Sequence, residues 1–304
     1  MITLASGLSY CDLHFLGEPR IIATVVLHGP GGVTLIDPGP SSTLPTLRAA
    51  LARAGMTVAD VRALVLTHIH LDHAGVVGTL AQENAHLRIY VHEKGAPHLV
   101  DPSKLVASAT RLWGDDMGRL WGECRPVSAD RLVVLVGGER IEAGGRTLDV
   151  AYTPGHASHH VSYFSADSGV AFVGDTAGVR PPADGVIVPP TPPPDIDLEA
   201  WRGSLARIGQ WRAETLFVTH FGPYGAAGTH LTEMADRLEQ TSALVRESLA
   251  REGTDDDRER WFADALRREL RLRLRESDAL AYETAGRFDL SWRGLARYWR
   301  KKAS

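Results

Sequence analysis

The sequence has few cysteines and no long apolar run. Cys11 and Cys124 are the only cysteines among 304 residues, which excludes a disulfide-rich scaffold, and we expect reduced thiols in a cytoplasmic protein. No apolar stretch is long enough to span a bilayer, so no membrane partner is expected. The first twenty residues have neither the basic region nor the uninterrupted apolar region of a signal peptide.

A strong charge of either sign is also missing. The formal net charge is −4 and the isoelectric point is near 6.4, which gives no electrostatic reason to expect a nucleic-acid partner. Apolar residues make up 44% and charged residues 23% of the chain, as in ordinary soluble proteins. We therefore expect an ordinary globular protein that does not bind nucleic acid.

Strand patterns alternate with helical ones over the first two-thirds of the chain. Apolar runs and turn residues predict strands at residues 20–29, 32–39, 61–67, 87–93, 131–138, 146–155, 159–175 and 215–220. Helices are predicted at residues 43–55, 74–85 and 197–211, and in part of 103–122. This alternation of strand and helix patterns is typical of an α/β fold.

Two later segments break this alternation. Residues 180–197 are too rich in proline for regular structure and predict a fairly rigid loop. From residue 231 onward the patterns are helical. We therefore divide the chain into a main domain, residues 1–230, and a helical C-terminal appendage, residues 231–304.

Potential metal ligands follow the apolar strand run at residues 64–66. His68, His70, Asp72 and His73 lie within six residues of one another, and three further candidates follow other predicted strands: His156, Asp175 and His220. No cysteine competes with them. Imidazole nitrogens and carboxylate oxygens suit zinc, and also manganese or iron.

The spacing of the first four candidates requires a loop, because a regular helix could not aim all four inward. Alternation places His68, His70 and Asp72 on one side of an extended segment, and His73 begins the next helix. Five histidines and two aspartates are too many for one tetrahedral site. They suit two divalent metal ions, most simply zinc, which at about 3.5–4 Å apart can share a water and lower its pKa.

The motif THIHLDHAG resembles the HxHxDH signature of the metallo-β-lactamase-fold hydrolases. The resemblance continues in order through LIDPG, TPGHASHH, GDTAG and THFG, and covers residues 20–220. It implies an αββα sandwich of two facing mixed β-sheets flanked by helices, with two metals at one edge. By motif matching, His68, His70 and His156 would hold the first metal, Asp72, His73 and His220 the second, and Asp175 would bridge them. Asp37 in LIDPG would steady the ligand loop.

The resemblance implies a reaction as well as a fold. A hydroxide bridging the metals would attack an ester, thioester or lactone carbonyl, with Asp72 assisting the departing group. Tyr224, shortly after the last ligand, would either pack within its loop or, as a catalytic residue, hydrogen-bond the carbonyl or its oxyanion. His159 could line the mouth of the site, whereas His160 is predicted to be structural.

The motifs are also compatible with other functions. Asp175 argues against true β-lactamases of this fold, and the glutathione-binding signature of glyoxalase II is not evident around His220. The persulfide dioxygenases resemble this motif set but bind one iron, here through His68, His156 and Asp175. A non-catalytic, metal-stabilised scaffold is the third reading.

The proline-rich loop and the appendage are expected to determine which substrate the protein prefers. Deleting residues 182–194 should then alter substrate preference more than metal content. The helices after residue 230 would either cap the pocket or form a homodimer interface.

Overall fold

Two mixed β-sheets form the centre of the computed structural model, which describes residues 1–181 and 185–303. The first sheet has seven strands in chain order: β1 Ile2–Ala5, β2 Leu8–Asp12, β3 Ala23–Gly29, β4 Gly32–Ile36, β5 Val61–Val65, β6 Arg88–His92 and β7 Leu132–Leu135. Strands β1 to β4 are antiparallel and β4 to β7 are parallel. The carboxyl ends of β4 and β5 therefore share one edge of the sheet.

The second sheet has six strands, in the order β13, β12, β11, β10, β9, β8. Its strands are β8 Arg140–Ala143, β9 Arg146–Tyr152, β10 Val161–Ser165, β11 Val170–Phe172, β12 Thr215–Val218 and β13 Gly222–Gly225. Only β11 and β12 run parallel to each other. The loops after β9, β11 and β12 carry the remaining ligand candidates.

Helices cover the outer faces of both sheets. They are α1 Leu44–Arg53, α2 Leu71–Ala74, α3 Val77–Glu83, α4 Ala96–Val100, α5 Ser103–Trp113, α6 Met117–Leu120, α7 Leu198–Gly209, α8 Ala227–Leu249, α9 Asp255–Arg273, α10 Glu276–Gly286 and α11 Phe288–Ala303. One apolar cluster fills the space between the sheets. Each sheet has a further cluster between its outer face and the helices that cover it. The predicted αββα sandwich is confirmed.

The C-terminal helices pack on the outer face of the second sheet. Helix α8 begins four residues before the proposed domain boundary at residue 231, and its Met234 is buried with Val218 of β12 and Trp292 of α11 in one cluster. Thr254 caps α9 in a capping box with Asp257. The division at residue 231 stays a prediction, although the helices share their apolar core with the sheet.

Four strands, β1, β2, β8 and β13, were not predicted from the sequence. Strand β8 alternates between exposed and buried positions but over four residues only, β1 has no fully buried position, and β13 consists of Gly-Pro-Tyr-Gly. Strand β2 is nearly all buried but short. Their pairing partners stabilise these segments, and a single sequence does not reveal such partners. None of the helices in the described ranges is long and apolar enough to cross a membrane.

Candidate metal centre

The loops at one edge of both sheets bring the seven predicted ligands together. His68 follows β5, and His70 precedes α2, which carries Asp72 and His73 in its only turn. The second sheet supplies three more from the loops after β9, β11 and β12: His156, Asp175 and His220. Three groups drawn from these residues have potential ligand atoms within 4.8 Å of one another.

Two glycines permit this close convergence. Gly155, next to His156, has a φ of +138°, and a Cβ there would lie 2.4 Å from Cα of Trp201 in α7. Gly174, next to Asp175, has a φ of +47°, and a Cβ there would lie 2.6 Å from the Thr67 hydroxyl. Larger residues would push two ligand loops out of place.

The first group consists of His68, His70 and His156. The Nδ1 atom of His70 lies 3.0 Å from Nε2 of His68 and 3.0 Å from Nε2 of His156. Three imidazole nitrogens therefore converge on one point, with the two outer residues presenting Nε2 and the central one presenting Nδ1. Such a trio matches the histidine ligation of catalytic metal sites.

The second group consists of Asp72, His73 and His220. Oδ2 of Asp72 lies 3.4 Å from Nε2 of His220 and 3.8 Å from Nε2 of His73. This group combines two nitrogen donors with one carboxylate oxygen, so its donor set suits a divalent metal.

Asp175 lies between the two groups. Its Oδ2 is 3.3 Å from Nε2 of His156 in the first group. Its Oδ1 is 3.2 Å from Nε2 of His73 and 3.5 Å from Nε2 of His220 in the second. One carboxylate thus faces both groups with different oxygens, which is the position expected for a bridging ligand.

Hydrogen bonds on the outer side fix which nitrogen faces the centre. Nδ1–H of His156 donates to the carbonyl of Pro190 at 2.8 Å, and Nδ1–H of His220 donates to that of Ile21 at 2.6 Å. His68 donates from Nδ1 to the Thr67 hydroxyl at 3.1 Å. Each bond leaves the lone pair of Nε2 directed inward, as metal ligation requires.

Asp37 supports the ligand loops from behind. Its carboxylate is buried and accepts from the backbone N–H and hydroxyl of Thr67, at 2.8 and 2.7 Å. It also accepts from Nδ1–H of His73 at 2.9 Å and from the Thr219 hydroxyl at 3.0 Å. The predicted steadying aspartate therefore contacts the loops after both β5 and β12.

Burial and charge set the pKa values in the first group. Burial lowers the pKa of His68 well below its usual value, and the neighbouring histidines lower it further. Burial, helped by His156, also lowers the pKa of His70 to about 4. These rings are neutral near pH 7, and a neutral ring can bind a metal.

Carboxylates outnumber cations around the second group, so its net charge is negative. Burial opposes the ionised form of Asp72, but His73 and His220 hold its pKa at about 2. Burial would lower the pKa of His73, yet Asp175, Asp72 and Asp37 hold it well above the usual value. Three carboxylates around one imidazole favour a cation, which a metal ion would supply.

Two buried atoms support this fit. Nε2 of His73 and Oδ1 of Asp175 have no hydrogen-bond partner in the described chain. Leaving such atoms unpaired is costly in a protein interior. The donors, their convergence and these two atoms all fit bound divalent metal.

A cavity of about 350 Å³ opens beside the centre. It is lined by five ligand candidates, His70, Asp72, His156, Asp175 and His220, and its volume is that of a small-molecule site. Helix α5, residues 190 and 192–195 of the proline-rich loop and residues 284–287 with Leu290 complete the wall. The C-terminal helices therefore contribute to the pocket, one of the two roles left open.

The structure does not place Tyr224 at this cavity. Its hydroxyl is directed at the backbone carbonyls of Arg180 and Phe221, and the residue is buried and does not line the cavity wall. Burial also raises the pKa of its phenol. This corrects the expectation that Tyr224 hydrogen-bonds the substrate, because its proton is already committed to the backbone.

His159 and His160 do point in different directions. His159 lines the cavity. His160 is fully buried, and its Nδ1 contacts the hydroxyls of Thr153 and Thr176 at 3.0 and 3.2 Å. His159 therefore reaches the site, while His160 packs behind the ligands.

The proline-rich loop has a closer role than its sequence indicates. The carbonyl of Pro190 holds His156, so deleting residues 182–194 would remove a partner of a candidate ligand. We now expect such a deletion to lower metal content as well as to change substrate preference. No sequence signal marks the carbonyls of Pro190 and Ile21, because a backbone atom has no residue type.

Comparison with known proteins agrees with this geometry. The family model of the metallo-β-lactamase superfamily matches residues 17–220. ST1585 of Sulfurisphaera tokodaii, described as a metallo-β-lactamase fold-containing protein, is 30% identical over 208 residues, covering 67% of this chain and 74% of that protein. A hydroxyacylglutathione hydrolase of Synechococcus is 29% identical over 151 residues, covering 50% of this chain and 47% of that protein.

Solved structures show the same fold over nearly the whole chain. The crystal structure of ST1585 has a TM-score of 0.65 at 24% identity, covering 95% of this chain and 98% of that one. The metallo-β-lactamase family protein TTHA1429 of Thermus thermophilus has a TM-score of 0.74 at 22% identity, covering 99% and 95%. With the family match over residues 17–220, this shows that the chain belongs to the metallo-β-lactamase superfamily.

Proposed function

We propose that this protein is a hydrolase that uses two divalent metal ions to cleave an ester, thioester or lactone carbonyl. The observation that carries the proposal is the position of Asp175, whose two oxygens face the two histidine groups at 3.2–3.5 Å. Metal ions held by these groups would polarise a carbonyl and lower the pKa of water. Zinc fits the donors best, and iron or manganese also fits.

The binding groups differ in their access to the cavity. The side chain of Asp72 is 23% exposed and lines the cavity, whereas that of Asp175 is 4% exposed. Asp72 is ionised at neutral pH because His73 and His220 lower its pKa. It is therefore the ionised carboxylate that would contact a substrate in the cavity and assist the departing group.

His159 takes the substrate-binding role that the sequence assigned to Tyr224. Its Nδ1 accepts a long hydrogen bond, 3.4 Å, from the backbone N–H of Ile69. The neutral ring then carries its proton on Nε2, and no other described residue pairs with that atom. His159 lines the cavity, so Nε2–H is available to a substrate carbonyl oxygen.

The similarity to hydroxyacylglutathione hydrolases supports acyl hydrolysis as the reaction class, although the chain spans about half of such a relative. A cavity of about 350 Å³ favours a small-molecule substrate over nucleic acid. Homodimerisation stays a prediction.

The first test is metal content per chain, measured by elemental analysis of protein purified without added metal. Two divalent ions per chain, together with turnover of a panel of esters, thioesters and lactones that stops on chelation, would support the proposal. One iron per chain with oxygen uptake on a persulfide would replace it with sulfur oxidation. Full metal content without turnover on any of these substrates would favour a non-catalytic protein.

A further inference from the structure

Apart from the metal-binding residues, the cavity has a mainly apolar wall. One face of helix α5 contributes Leu105, Ser108, Ala109 and Leu112, at the spacing of successive helical turns. The two leucines are only half-buried, so they present apolar surface to the cavity. A ligand that covers this surface would remove it from water.

An aromatic cluster continues this wall. The rings of Phe15 and Trp121 stack with centroids 5.4 Å apart, and Trp113 meets Trp121 edge-on at 5.0 Å. All three residues line the cavity. Packing of each ring against the next holds these faces in place.

The C-terminal helices close the cavity with a neutral surface. Ala285 and Leu290 line the wall, as does Arg287, whose guanidinium lies 4.2 Å from the centre of the Trp113 ring. Arg287 also donates two hydrogen bonds to the carboxylate of Asp289, at 2.9 and 2.7 Å. Its charge is therefore already balanced and is not available to an anionic substrate group.

Lys94 is the other lysine or arginine among the described lining residues, and it is exposed. It donates to the hydroxyl of Tyr152 at 2.7 Å. Among the described lining residues, Lys94 is therefore the one lysine or arginine without a carboxylate partner, so two unpaired cations that could clamp one carboxylate are absent there.

We infer that this cavity binds the acyl chain of the substrate, an uncharged aliphatic group of medium length. The inference rests on the proposed function, because it takes the carbonyl to lie at the metal centre. A volume of about 350 Å³ holds roughly a dozen non-hydrogen atoms at about 30 Å³ each. Leu112 of α5 and Ala285 of α10 line the cavity from segments far apart in the chain, so substitutions there can change the length that fits.

Binding of straight-chain carboxylates from butanoate to dodecanoate tests the inference without turnover. Calorimetric titration of the protein, with its metal as purified, should show the dissociation constant falling about fourfold per added methylene. The dissociation constant should stop falling at the chain length that fills the cavity, and this length is the stopping point. Octanedioate should bind more weakly than octanoate, because its second carboxylate would have to leave the apolar wall to reach the exposed Lys94, and Arg287 is already paired with Asp289.

Two variants should move the stopping point in opposite directions. Leu112→Ala enlarges the cavity and should shift it to longer chains, whereas Ala285→Phe fills the cavity and should shift it to shorter chains. Leu280→Ala, at an exposed position on helix α10 outside the cavity, is the matched control and should bind like the wild type. Melting curves establish that each variant folds, and Leu112→Ala alone suffices if the larger side chain at residue 285 prevents folding.

The outcomes separate this inference from the proposed function. A dissociation constant that does not depend on chain length, tight binding of octanedioate, or an unchanged stopping point in the folded variants would overturn the acyl pocket. Esters hydrolysed without chain-length preference would leave the hydrolase proposal standing alone. Chain-length-dependent binding without turnover of any ester, thioester or lactone would leave the pocket and overturn the hydrolase.

Discussion

Nδ1–H of His73 donates to Oδ2 of Asp37 at 2.9 Å, which directs Nε2 of the same ring toward Oδ1 of Asp175, 3.2 Å away. Asp37 thus determines the orientation of a ligand candidate although it lies outside the ligand set. All of its side-chain contacts are donors from Thr67, His73 and Thr219. A group that can only accept is required at this position.

Replacing Asp37 by asparagine should therefore weaken both folding and metal binding. The amide NH₂ would face donors, leaving one or more of them unpaired, and we expect a loss of about 2–4 kcal/mol in the free energy of unfolding. Metal affinity should fall about 10–100-fold, as for other residues that orient metal ligands. Urea unfolding and chelator competition measure the two effects. Asp236→Asn, at an exposed position, is the control, and equal behaviour of the two variants would contradict the supporting role.

Removing the side chain of His159 should slow catalysis and leave metal content unchanged. His159→Ala deletes the proposed donor to the substrate carbonyl, so kcat/KM should fall about a hundredfold. His159→Gln, whose amide can still donate, should recover part of the loss. Steady-state kinetics on the best substrate of the panel gives both values.

Tyr224→Phe is the comparison that separates the two candidate donors. The Tyr224 hydroxyl contacts backbone carbonyls only, so the Phe variant should lose about 1 kcal/mol of stability and keep its kcat/KM. The reverse pattern, with a large kinetic loss in Tyr224→Phe and none in His159→Ala, would return the role to the tyrosine.

Breaking the contact between Arg237 and Glu269 should destabilise the C-terminal helices. Arg237 on α8 is buried and makes two hydrogen bonds to Glu269 of α9, at 2.7 and 3.0 Å, and a third to the carbonyl of Ile187 at 3.0 Å. Arg237→Met leaves that carbonyl unpaired and leaves the partly buried Glu269 with Arg273 alone, 3.8 Å away, so we expect a loss of about 2 kcal/mol. Urea unfolding measures this loss.

The exposed pair Arg202 and Glu239 provides the matched control. Both side chains are about half exposed, so Arg202→Met should change the free energy of unfolding by about 1 kcal/mol at most. If the two arginine variants lose the same stability, burial does not determine the strength of these pairs.

Mild acid should destabilise the protein partly through His230. Burial, with the nearby Arg180, lowers its pKa to about 4, although its hydrogen bond to the Ala177 carbonyl opposes the shift. The unfolded chain has a pKa of about 6.5, so the unfolded state binds the proton first as the pH falls. Stability from this group is full above pH 6.5 and declines toward pH 4.

Between pH 7.5 and 5.5 this decline should amount to about 1 kcal/mol, and His230→Gln should reduce the pH dependence by that amount. Urea unfolding at the two pH values measures it. His86→Gln, at an exposed position, should keep the wild-type dependence. A pH dependence that is the same in all three proteins would show that His230 does not contribute.

The ligand candidates could be predicted because they follow local strand patterns, whereas the sandwich was predicted from the resemblance of the motifs to a known family. The loops at residues 68–73, 156, 175 and 220 follow apolar strands, so polar metal-binding residues are recognisable at their ends. The supporting role of Asp37 was predicted from the same family resemblance. Strand β13 and the carbonyl partners Ile21 and Pro190 gave no such signal, because their roles depend on backbone atoms paired with distant segments.

The sequence by itself determined which residues can bind a metal and in which order the strands deliver them. Only the tertiary structure decided how the surrounding side chains are used. Tyr224 turns toward the backbone and His159 toward the cavity, although both follow a ligand closely in sequence. Helices α10 and α11 complete the cavity wall because they pack on the second sheet. Orientation and packing depend on contacts between segments far apart in the chain, and the local order of residues does not specify those contacts.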